Sequence, residues 1–243
     1  MNIVAIIQAR MGSNRLPGKV MKDIAGKPML ERVVNRVRRA RTLQAVVVAT
    51  STKAADDEIA EFCDASRIPV FRGNELDVLD RYYRAAKAYA AEVIVRVTSD
   101  CPLIDPEVVD RVVRAYLDRH PDFAWNDIGS SFPRGLDVEV MSIAALERAW
   151  SEAADGYQRT HVTPYFHMNP GTFRCLALTE DNDYGSYRWT VDTVEDLEFV
   201  RAIYARLGPG EDFGWGEVVA LLHEEPLLAA INSAVRQKSM EEG

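Results

Sequence analysis

The chain has 243 residues, of which 47% are hydrophobic and 27% are charged, and its formal net charge is −8 at pH 7. This length and hydrophobic content suffice for one large domain with a substantial core. The acidic balance disfavours a general nucleic-acid-binding protein, and no apolar stretch approaches the roughly 18 to 20 residues that span a bilayer. The N-terminus also lacks the basic start and cleavage site of a signal peptide, so the sequence predicts a cytoplasmic protein with neither nucleic-acid nor membrane partners.

The chain opens with a continuous hydrophobic run at residues 3–7, rich in β-branched side chains. Such a run is typical of a strand buried on both faces of a parallel sheet. Everything after Gln8 is predicted to be loop. Gly12 and Gly18 allow backbone N–H groups to approach a ligand closely. Three positively charged residues lie in the same stretch, namely Arg10, Arg15 and Lys19. The stretch therefore predicts a phosphate-binding loop, the alternative being a solvated basic surface loop.

The two named nucleotide loops do not fit this stretch. Five residues separate Gly12 from Gly18, where a Walker A loop has four, and Val20 follows Lys19 where that motif has Ser or Thr. There is no G-x-G-x-x-G sequence, so a dinucleotide site has no support.

The positive charge of the chain is concentrated near this loop. Residues 1–41 contain ten Lys or Arg and two acidic residues, a net charge of +8, which leaves −16 for the remainder. A local positive region in an acidic protein favours a small anionic ligand. Part of this charge is expected on the solvated face of the next helix, where arginines lie opposite an apolar stripe.

The next segments alternate between buried strands and amphipathic helices. Helices are predicted from Pro28 and in residues 54–66, and strands at residues 44–50 and 68–71. This βαβαβ order predicts a parallel, doubly wound sheet, in which ligands bind beyond the carboxyl ends of the strands. Thr50, Arg72 and Gly73 occupy such ends, so the base of a nucleotide is expected there. Asp77 is a candidate cap for the helix that follows.

A fourth strand, residues 92–98, ends just before Asp100. A carboxylate at this place is well positioned for Mg²⁺ that bridges protein and phosphate oxygens. The alternative is a turn or helix cap. Asp105, followed by Pro106, is the more natural cap of the next helix, which leaves Asp100 without a capping role.

Two later segments carry further polar candidates. In residues 136–141, apolar side chains alternate with Asp137, Glu139 and Met141, which indicates a strand with one largely acidic face or, equally, a solvated edge strand. Near the C-terminal third, an apolar strand remnant ends at Asp192, and Thr193 with Asp196 nearly forms a capping box. Capping by Thr193 leaves Asp192 free to point into a site.

The three cysteines, Cys63, Cys101 and Cys175, are far apart and form no C-x-x-C pair. Disulfide and zinc frameworks are therefore disfavoured.

The string QARMGSNRLPGKVMKDIAGKPMLERV closely resembles the N-terminal signature of the sugar-activating cytidylyltransferases, and VRVTSDCPLIDP, PRGLDVEV and RWTVDT extend the likeness over most of the chain. The nearest resemblance is to the spore coat polysaccharide biosynthesis enzymes of the SpsF type, with CMP-KDO synthetase and acylneuraminate cytidylyltransferase more distant. Asn14 is a departure, since Thr is expected there.

The resemblance implies a Rossmann-like α/β fold of the nucleotide-diphospho-sugar transferase (GT-A-like) kind, with a doubly wound, mixed but mainly parallel sheet and helices on both faces. It also implies that Arg10, Ser13, Arg15 and Lys19 hold the CTP phosphates and that Asp100 and Asp192 bind Mg²⁺. Residues 72–81 are expected to border the cytidine, and a His-Val-Thr-Pro-Tyr string beginning at His161 is expected near the acceptor. The catalytic residues would be Arg10, Lys19, Asp100 and Asp192.

The complete predicted sites are larger than these groups. The nucleotide site comprises Gln8, Ala9, Arg10, Met11, Gly12, Ser13, Arg15, Lys19, Thr50, Arg72, Gly73, Leu79 and Arg81. The acceptor site comprises Arg134, Asp137, Glu139, His161 and Arg188.

The predicted function is Mg²⁺-dependent transfer of CMP from CTP to a sugar or sugar-like acceptor, with release of pyrophosphate, in surface polysaccharide or glycan biosynthesis. Two alternatives remain at this point: a nucleotidyltransferase that uses another NTP or a phosphorylated acceptor, and a noncatalytic nucleotide-sugar-binding protein on the same fold. One domain is expected, with a nucleotide-binding half at about 1–105, an acceptor half at about 120–195 and packing helices at about 196–236. A helix-rich C-terminus and the assembly of the relatives favour a homodimer, which no residue pattern shows.

Overall fold

The structure is a computed structural model that describes residues 1–126, 131–169 and 171–237. Within these residues the strands are β1 (Ile3–Gln8), β2 (Asp23–Ile24), β3 (Lys27–Pro28), β4 (Ala45–Ser51), β5 (Val70–Gly73), β6 (Val93–Thr98), β7 (Phe123–Trp125), β8 (Glu139–Ser142) and β9 (Cys175–Ala177). The helices in the same parts of the chain are α1 (Met29–Val37), α2 (Asp57–Ala65), α3 (Val78–Ala88), α4 (Pro106–Arg119), α5 (Ile143–Glu152), α6 (Gly156–His161), α7 (Pro164–Met168), α8 (Val194–Leu207), α9 (Trp215–Glu224) and α10 (Leu227–Ala230).

Seven of the described strands form one mixed sheet in the order β5-β4-β1-β6-β8-β7-β9. β1 pairs in parallel with β4 on one side and with β6 on the other, whereas β8 runs antiparallel to β6. The chain thus adds strands to one side of β1 and then crosses to the opposite side. Such a reversal creates a crevice beyond the carboxyl ends of β1 and β6, where open α/β sheets bind their ligands.

Helices cover both faces of the sheet because the central strands are apolar on both faces. Ala5 and Ile7 of β1 belong to a core shared with α1, α4 and α8, whereas Val4 and Ile6 belong to a second core shared with α3 and α5. All four side chains are fully buried. The predicted fold class is therefore confirmed, including the mainly parallel sheet with helices on its two sides.

Three details differ from the sequence-based expectations. Arg32 and Arg36 are fully buried, not solvated, because the segment before α9 covers them; Arg32 pairs with Glu211 at 2.6 Å, and Arg36 donates to the carbonyl of Ile104 at 2.6 Å. The expected strand remnant at 187–191 makes a single bridge, between Arg188 and Arg134. The solvated-edge alternative for residues 136–141 is wrong, since β8 lies between β6 and β7.

Caps were predicted more accurately than strand ends. Asp77 and Asp105 each accept a backbone hydrogen bond at the start of α3 and α4, and Thr193 and Asp196 form a complete capping box at α8. The hairpin β2–β3 and the strand β9 have no counterpart in the sequence-based expectations, because each is only two or three residues long. No described helix combines the length and the apolar character needed to span a bilayer.

Candidate active site

A cleft of about 240 Å³ opens at the carboxyl ends of β1 and β6, at the reversal point of the sheet. Its walls come from the loop after β1, from the start of α3, from the end of α6 and from the two segments that carry the predicted metal carboxylates. The lining residues are Gln8, Ala9, Arg10, Gly12, Ser13, Asn14, Arg15, Lys19, Val20, Val78, Arg81, Arg96, Thr98, Ser99, Asp100, Thr160, His161 and Asp192.

The loop after β1 is held in shape by its own backbone and by one buried acid. The amides of Ser13 and Gly18 both donate to the carbonyl of Met11, at 2.9 and 3.0 Å, which folds the loop back on itself. The amide of Met11 donates to Asp56 at 2.7 Å, and Asp56 is only 3% exposed. Gly18 adopts a left-handed conformation with φ of 65°, a conformation that favours glycine. The loop is thus preorganised beside the cleft.

Lys19 joins the two predicted metal carboxylates. Its ammonium group lies 2.7 Å from Asp100 Oδ2 and 2.9 Å from Asp192 Oδ1, and it also donates to the carbonyl of Val191 at 2.8 Å. Two acids that are 92 positions apart in the chain therefore meet at one cation. The backbone supports this meeting, since the amide of Val191 donates to the carbonyl of Asp100 at 2.8 Å.

The charges in this cluster keep both acids ionised. Burial alone would raise the pKa of Asp100, but the Lys19 ammonium holds that pKa well below its usual range. Burial opposes ionisation of Asp192 as well, and Lys19 again lowers the pKa below its ordinary value. Conversely, burial would lower the pKa of Lys19, yet the two carboxylates raise it. At neutral pH the cluster is therefore two carboxylates and an ammonium ion.

The same pair of acids fits a divalent cation. Both carboxylates already reach one positive centre from two sides, and Mg²⁺ is commonly held by one or two protein carboxylates together with substrate phosphates. Within the described residues, no group of three or more His, Cys, Asp or Glu side chains is arranged to hold a metal ion. A metal at this place would therefore take its remaining ligands from phosphate oxygens and water.

Asp192 has two further partners. Arg15 of the loop lies 2.9 Å from Asp192 Oδ2, and Arg188 lies 2.7 Å from the same oxygen. Arg10 also lines the cleft, is exposed, and has no ion-pair partner in the described parts of the chain. The mouth of the cleft thus carries positive charge that is suited to a polyphosphate.

A second polar group lies on the floor of the cleft. Arg96 of β6 stands opposite Glu139 of β8 in the strand register and forms an ion pair with it, and Arg96 also donates to Gln8 Oε1 at 3.2 Å. Glu139 is buried and is not among the residues that line the cleft. The sequence-based prediction of the site missed Arg96. A lone arginine within an otherwise apolar strand was the available signal, because such a charge needs a buried partner.

His161 lies at the end of α6 and lines the same cleft. Burial and the nearby charges of Arg96 and Arg10 lower its pKa, so the imidazole is neutral at pH 7. Asp137 lies beside Arg134, at 3.2 Å, and burial raises its pKa. Neither Arg134 nor Asp137 is among the residues that form the cleft wall.

The structure brings together most of the predicted nucleotide residues but separates some of them from the cleft. Thr50 and Leu79 are fully buried, and Leu79 belongs to the core beneath α3. Arg72 pairs with Asp57 at 2.6 Å, and Gly73 packs against the side chain of Arg81. Arg81 itself lines the cleft although it is only 2% exposed. Met11 contributes its backbone to the loop and does not line the cleft.

Comparison with known proteins gives the family. Residues 4–204 match the cytidylyltransferase family. The spore coat polysaccharide biosynthesis protein SpsF of Bacillus subtilis is 35% identical over 237 residues, 93% of this chain and 95% of that protein. The chain therefore belongs to the cytidylyltransferase family, and it is a nucleotidyltransferase enzyme.

Two further similarities agree with this assignment. A cytidylyltransferase from Leptospira borgpetersenii, known from its solved structure, has a TM-score of 0.91 at 31% identity and covers 98% of this chain and 99% of its own. A 3-deoxy-manno-octulosonate cytidylyltransferase from Geobacter sulfurreducens is 43% identical over 115 residues, 46% of this chain and 44% of that protein. The resemblance stated from the sequence, to SpsF-type enzymes and more distantly to CMP-KDO synthetase, is confirmed.

Proposed function

We propose that the protein transfers CMP from CTP to a sugar or sugar-like acceptor, releases pyrophosphate and requires Mg²⁺. The observation that supports this most directly is the meeting of Asp100 and Asp192 at Lys19, beside a preorganised basic loop and at the reversal point of the sheet. Membership of the family supports the nucleotide chemistry, and the basic residues around the cleft support binding of the triphosphate there.

In the proposed reaction, an acceptor oxygen attacks the α-phosphorus of CTP. The new bond joins that oxygen to phosphorus, and the hydroxyl proton passes to water. The bond between the α-phosphorus and the oxygen that bridges to the β-phosphorus breaks, and pyrophosphate leaves with the bond electrons. Arg10, Arg15 and Lys19 would stabilise the charge that develops on pyrophosphate. No protein nucleophile is needed. Bound Mg²⁺, held by Asp100 and Asp192, would neutralise phosphate charge and polarise the phosphoryl group.

The residues beyond the phosphate loop are proposed to serve the base and the acceptor. Arg81 and the start of α3 would border the cytosine, whereas Thr50, Arg72 and Gly73 lie outside the cleft wall and would support it from neighbouring strand ends. His161 would face the acceptor from α6, and Arg134, Asp137, Glu139 and Arg188 would shape that side from behind the wall. A role in surface polysaccharide or glycan biosynthesis is proposed because SpsF carries such a role in its name.

Pyrophosphate release by the purified protein tests this function. The assay combines Mg²⁺ with CTP, UTP, GTP or ATP and a panel of acceptors, namely 3-deoxy-2-keto acids including 3-deoxy-manno-octulosonate, amino sugars and phosphorylated small molecules. We expect turnover with CTP and at least one of these acceptors. Preference for another NTP would favour the alternative nucleotidyltransferase, and the absence of binding to any nucleotide by calorimetry would contradict the proposed site.

Two substitutions connect that activity to the cleft. Lys19→Met and Asp100→Asn should each lower kcat/KM by an amount equivalent to about 2–4 kcal/mol of transition-state stabilisation, by analogy with oxyanion-binding donors. The matched controls are Lys87→Met and Asp118→Asn, which change the same residue types at exposed positions on α3 and α4. Near wild-type turnover in Lys19→Met or Asp100→Asn would refute the assigned roles.

A further inference from the structure

Asp196 is a fully buried carboxylate that the proposed reaction does not use. It lies in the first turn of α8 and is 0% exposed. Its two oxygens accept five hydrogen bonds, from two side chains and two backbone amides. Arg188 provides two of them in bidentate fashion, Nε to Oδ1 at 2.9 Å and Nη2 to Oδ2 at 3.1 Å. Burying a carboxylate without partners costs free energy. These five hydrogen bonds compensate that cost for Asp196.

The backbone donors of Asp196 come from the segment that carries Asp192. The amide of Asp192 itself donates to Asp196 Oδ2 at 2.9 Å, and the amide of Thr193 donates to the same oxygen at 3.1 Å. Arg188, held by Asp196, also donates Nη2 to Asp192 Oδ2 at 2.7 Å. Asp196 therefore fixes both the main chain of Asp192 and a partner of its side chain.

The fifth donor comes from the C-terminal part of the chain. Asn232 follows α10, is 4% exposed, and donates Nδ2 to Asp196 Oδ1 at 2.9 Å. The same amide group donates to the carbonyl of Arg188 at 2.9 Å. Asn232 thus completes the network and connects the C-terminal part of the described chain to the position of Asp192.

We propose that Asp196, with Asn232 behind it, is the positioning residue that sets the orientation of Asp192 for its cation, an inference that rests on the proposed function. Neutralising Asp196 would leave the charge of Arg188 unbalanced beside Asp192 and would place an amide N–H against one of the donors of Arg188. Both effects weaken the attraction of Asp192 for a divalent cation. Groups that support metal ligands from behind alter metal affinity by about 10- to 100-fold when they are changed.

A purely structural role as half of the capping box is the competing explanation. Asp196 accepts the amide of Thr193, and its own amide donates to Thr193 Oγ1 at 3.3 Å. Thr193→Ala removes the other half of that box and leaves the carboxylate of Asp196 in place. If capping were the whole role, Thr193→Ala and Asp196→Asn would have the same effect on cation binding. The two variants therefore separate stability from positioning.

The test measures Mn²⁺ binding by calorimetry to the protein saturated with a CTP analogue that has a methylene group between the α- and β-phosphorus atoms. We expect Asp196→Asn to weaken Mn²⁺ binding by about 10- to 100-fold, Asn232→Ala to weaken it less and Thr193→Ala to leave it unchanged. Circular dichroism and the melting temperature of each variant report folding separately.

The outcomes are distinguishable. If the wild type binds Mn²⁺ and Asp196→Asn binds it equally well, or if Thr193→Ala reproduces the loss, the positioning role is overturned while the proposed function stands. If the wild type with the analogue binds no Mn²⁺, the metal-dependent function fails and this inference fails with it. Should Asp196→Asn not fold, Asn232→Ala decides: wild-type Mn²⁺ affinity in that variant would overturn the proposal.

Discussion

Asp100 shows how one residue couples the site to the stability of the fold. Its carboxylate is 24% exposed, lies 2.7 Å from the Lys19 ammonium and has a pKa below its ordinary value of 3.8. In the unfolded chain the pKa returns to that ordinary value. The folded state therefore binds fewer protons than the unfolded state in acid, and the stability gained from the pair is present above pH 3.8 and lost as pH falls below it.

A pH series of urea unfolding checks this linkage. At neutral pH, Asp100→Asn should be less stable than the wild type, because Lys19 loses one of its two carboxylate partners. The difference between the two proteins should be constant above about pH 5 and should narrow as the pH falls below 3.8, because the unfolded wild-type chain then takes up a proton that the folded state does not bind. A difference that stayed constant as the pH fell below 3.8 would mean that the contact with Lys19 does not lower the pKa of Asp100.

Arg96 and Glu139 form a buried ion pair with side chains that are 14% and 3% exposed. Removing one partner leaves the other charge buried in the sheet without an opposite charge. Glu139→Leu should therefore lower the free energy of unfolding by about 3–5 kcal/mol. The double variant Arg96→Leu with Glu139→Leu should recover much of this loss. Urea unfolding of both single variants and the double variant gives the coupling energy, and additive effects would contradict the pairing.

At the level of secondary-structure elements, the loop that carries Arg134 lies directly against the segment that leads to Asp192. Gly135 has φ of 112°, and a Cβ at this position would lie 2.7 Å from the backbone nitrogen of Thr190. No side chain fits such a contact with backbone atoms. Glycine is therefore required where these two segments meet, and the bridge between Arg134 and Arg188 lies beside this contact.

Gly135→Ala should accordingly destabilise the protein by clearly more than about 1 kcal/mol, since it adds a steric clash to an unfavourable φ. Gly171→Ala is the matched control, because Gly171 also has a positive φ, 89°, but a Cβ added there would meet no atom of the described residues within 4 Å. The difference between the two melting temperatures isolates the close contact. Equal losses in both variants would show that backbone strain alone matters.

Across the whole molecule, one large core contains residues from Ile3 in β1 to Leu228 in α10. The predicted nucleotide half, acceptor half and C-terminal helices all contribute to it. We therefore expect the chain to unfold as one domain, in a single calorimetric transition whose calorimetric and van't Hoff enthalpies agree. Two resolved transitions, or a large mismatch of the enthalpies, would indicate separate domains instead.

The expected homodimer can be tested by repeating the calorimetric unfolding at several protein concentrations. If folding and association are linked, the melting temperature rises with protein concentration, whereas a monomer melts at a constant temperature. Sedimentation equilibrium at the same concentrations provides the mass directly. A monomer mass of 27.2 kDa at all concentrations would refute the dimer.

Features that depend only on residues close in sequence could be predicted from the sequence alone. The apolar run of β1, the caps at Asp77, Asp105 and Thr193, and the glycines and basic residues of the first loop can all be recognised from neighbouring residues, since burial, capping and turn chemistry act over a few positions. The placement of Asp100 just beyond a central strand follows in the same way. Together with the family resemblance, these features sufficed to predict the fold class and a basic loop at the carboxyl end of β1.

Which distant residues meet depends on the tertiary structure. The contact of Lys19 with both Asp100 and Asp192, the partner of Arg96 on β8 and the role of Asn232 behind Asp196 depend on strand order and on how the C-terminal helices pack. The burial of Arg32 and Arg36 has the same origin, because a segment far along the chain covers a helix face that looks solvated by itself. Local periodicity does not contain this information, since a buried charge is tolerated only when its partner arrives from another part of the fold.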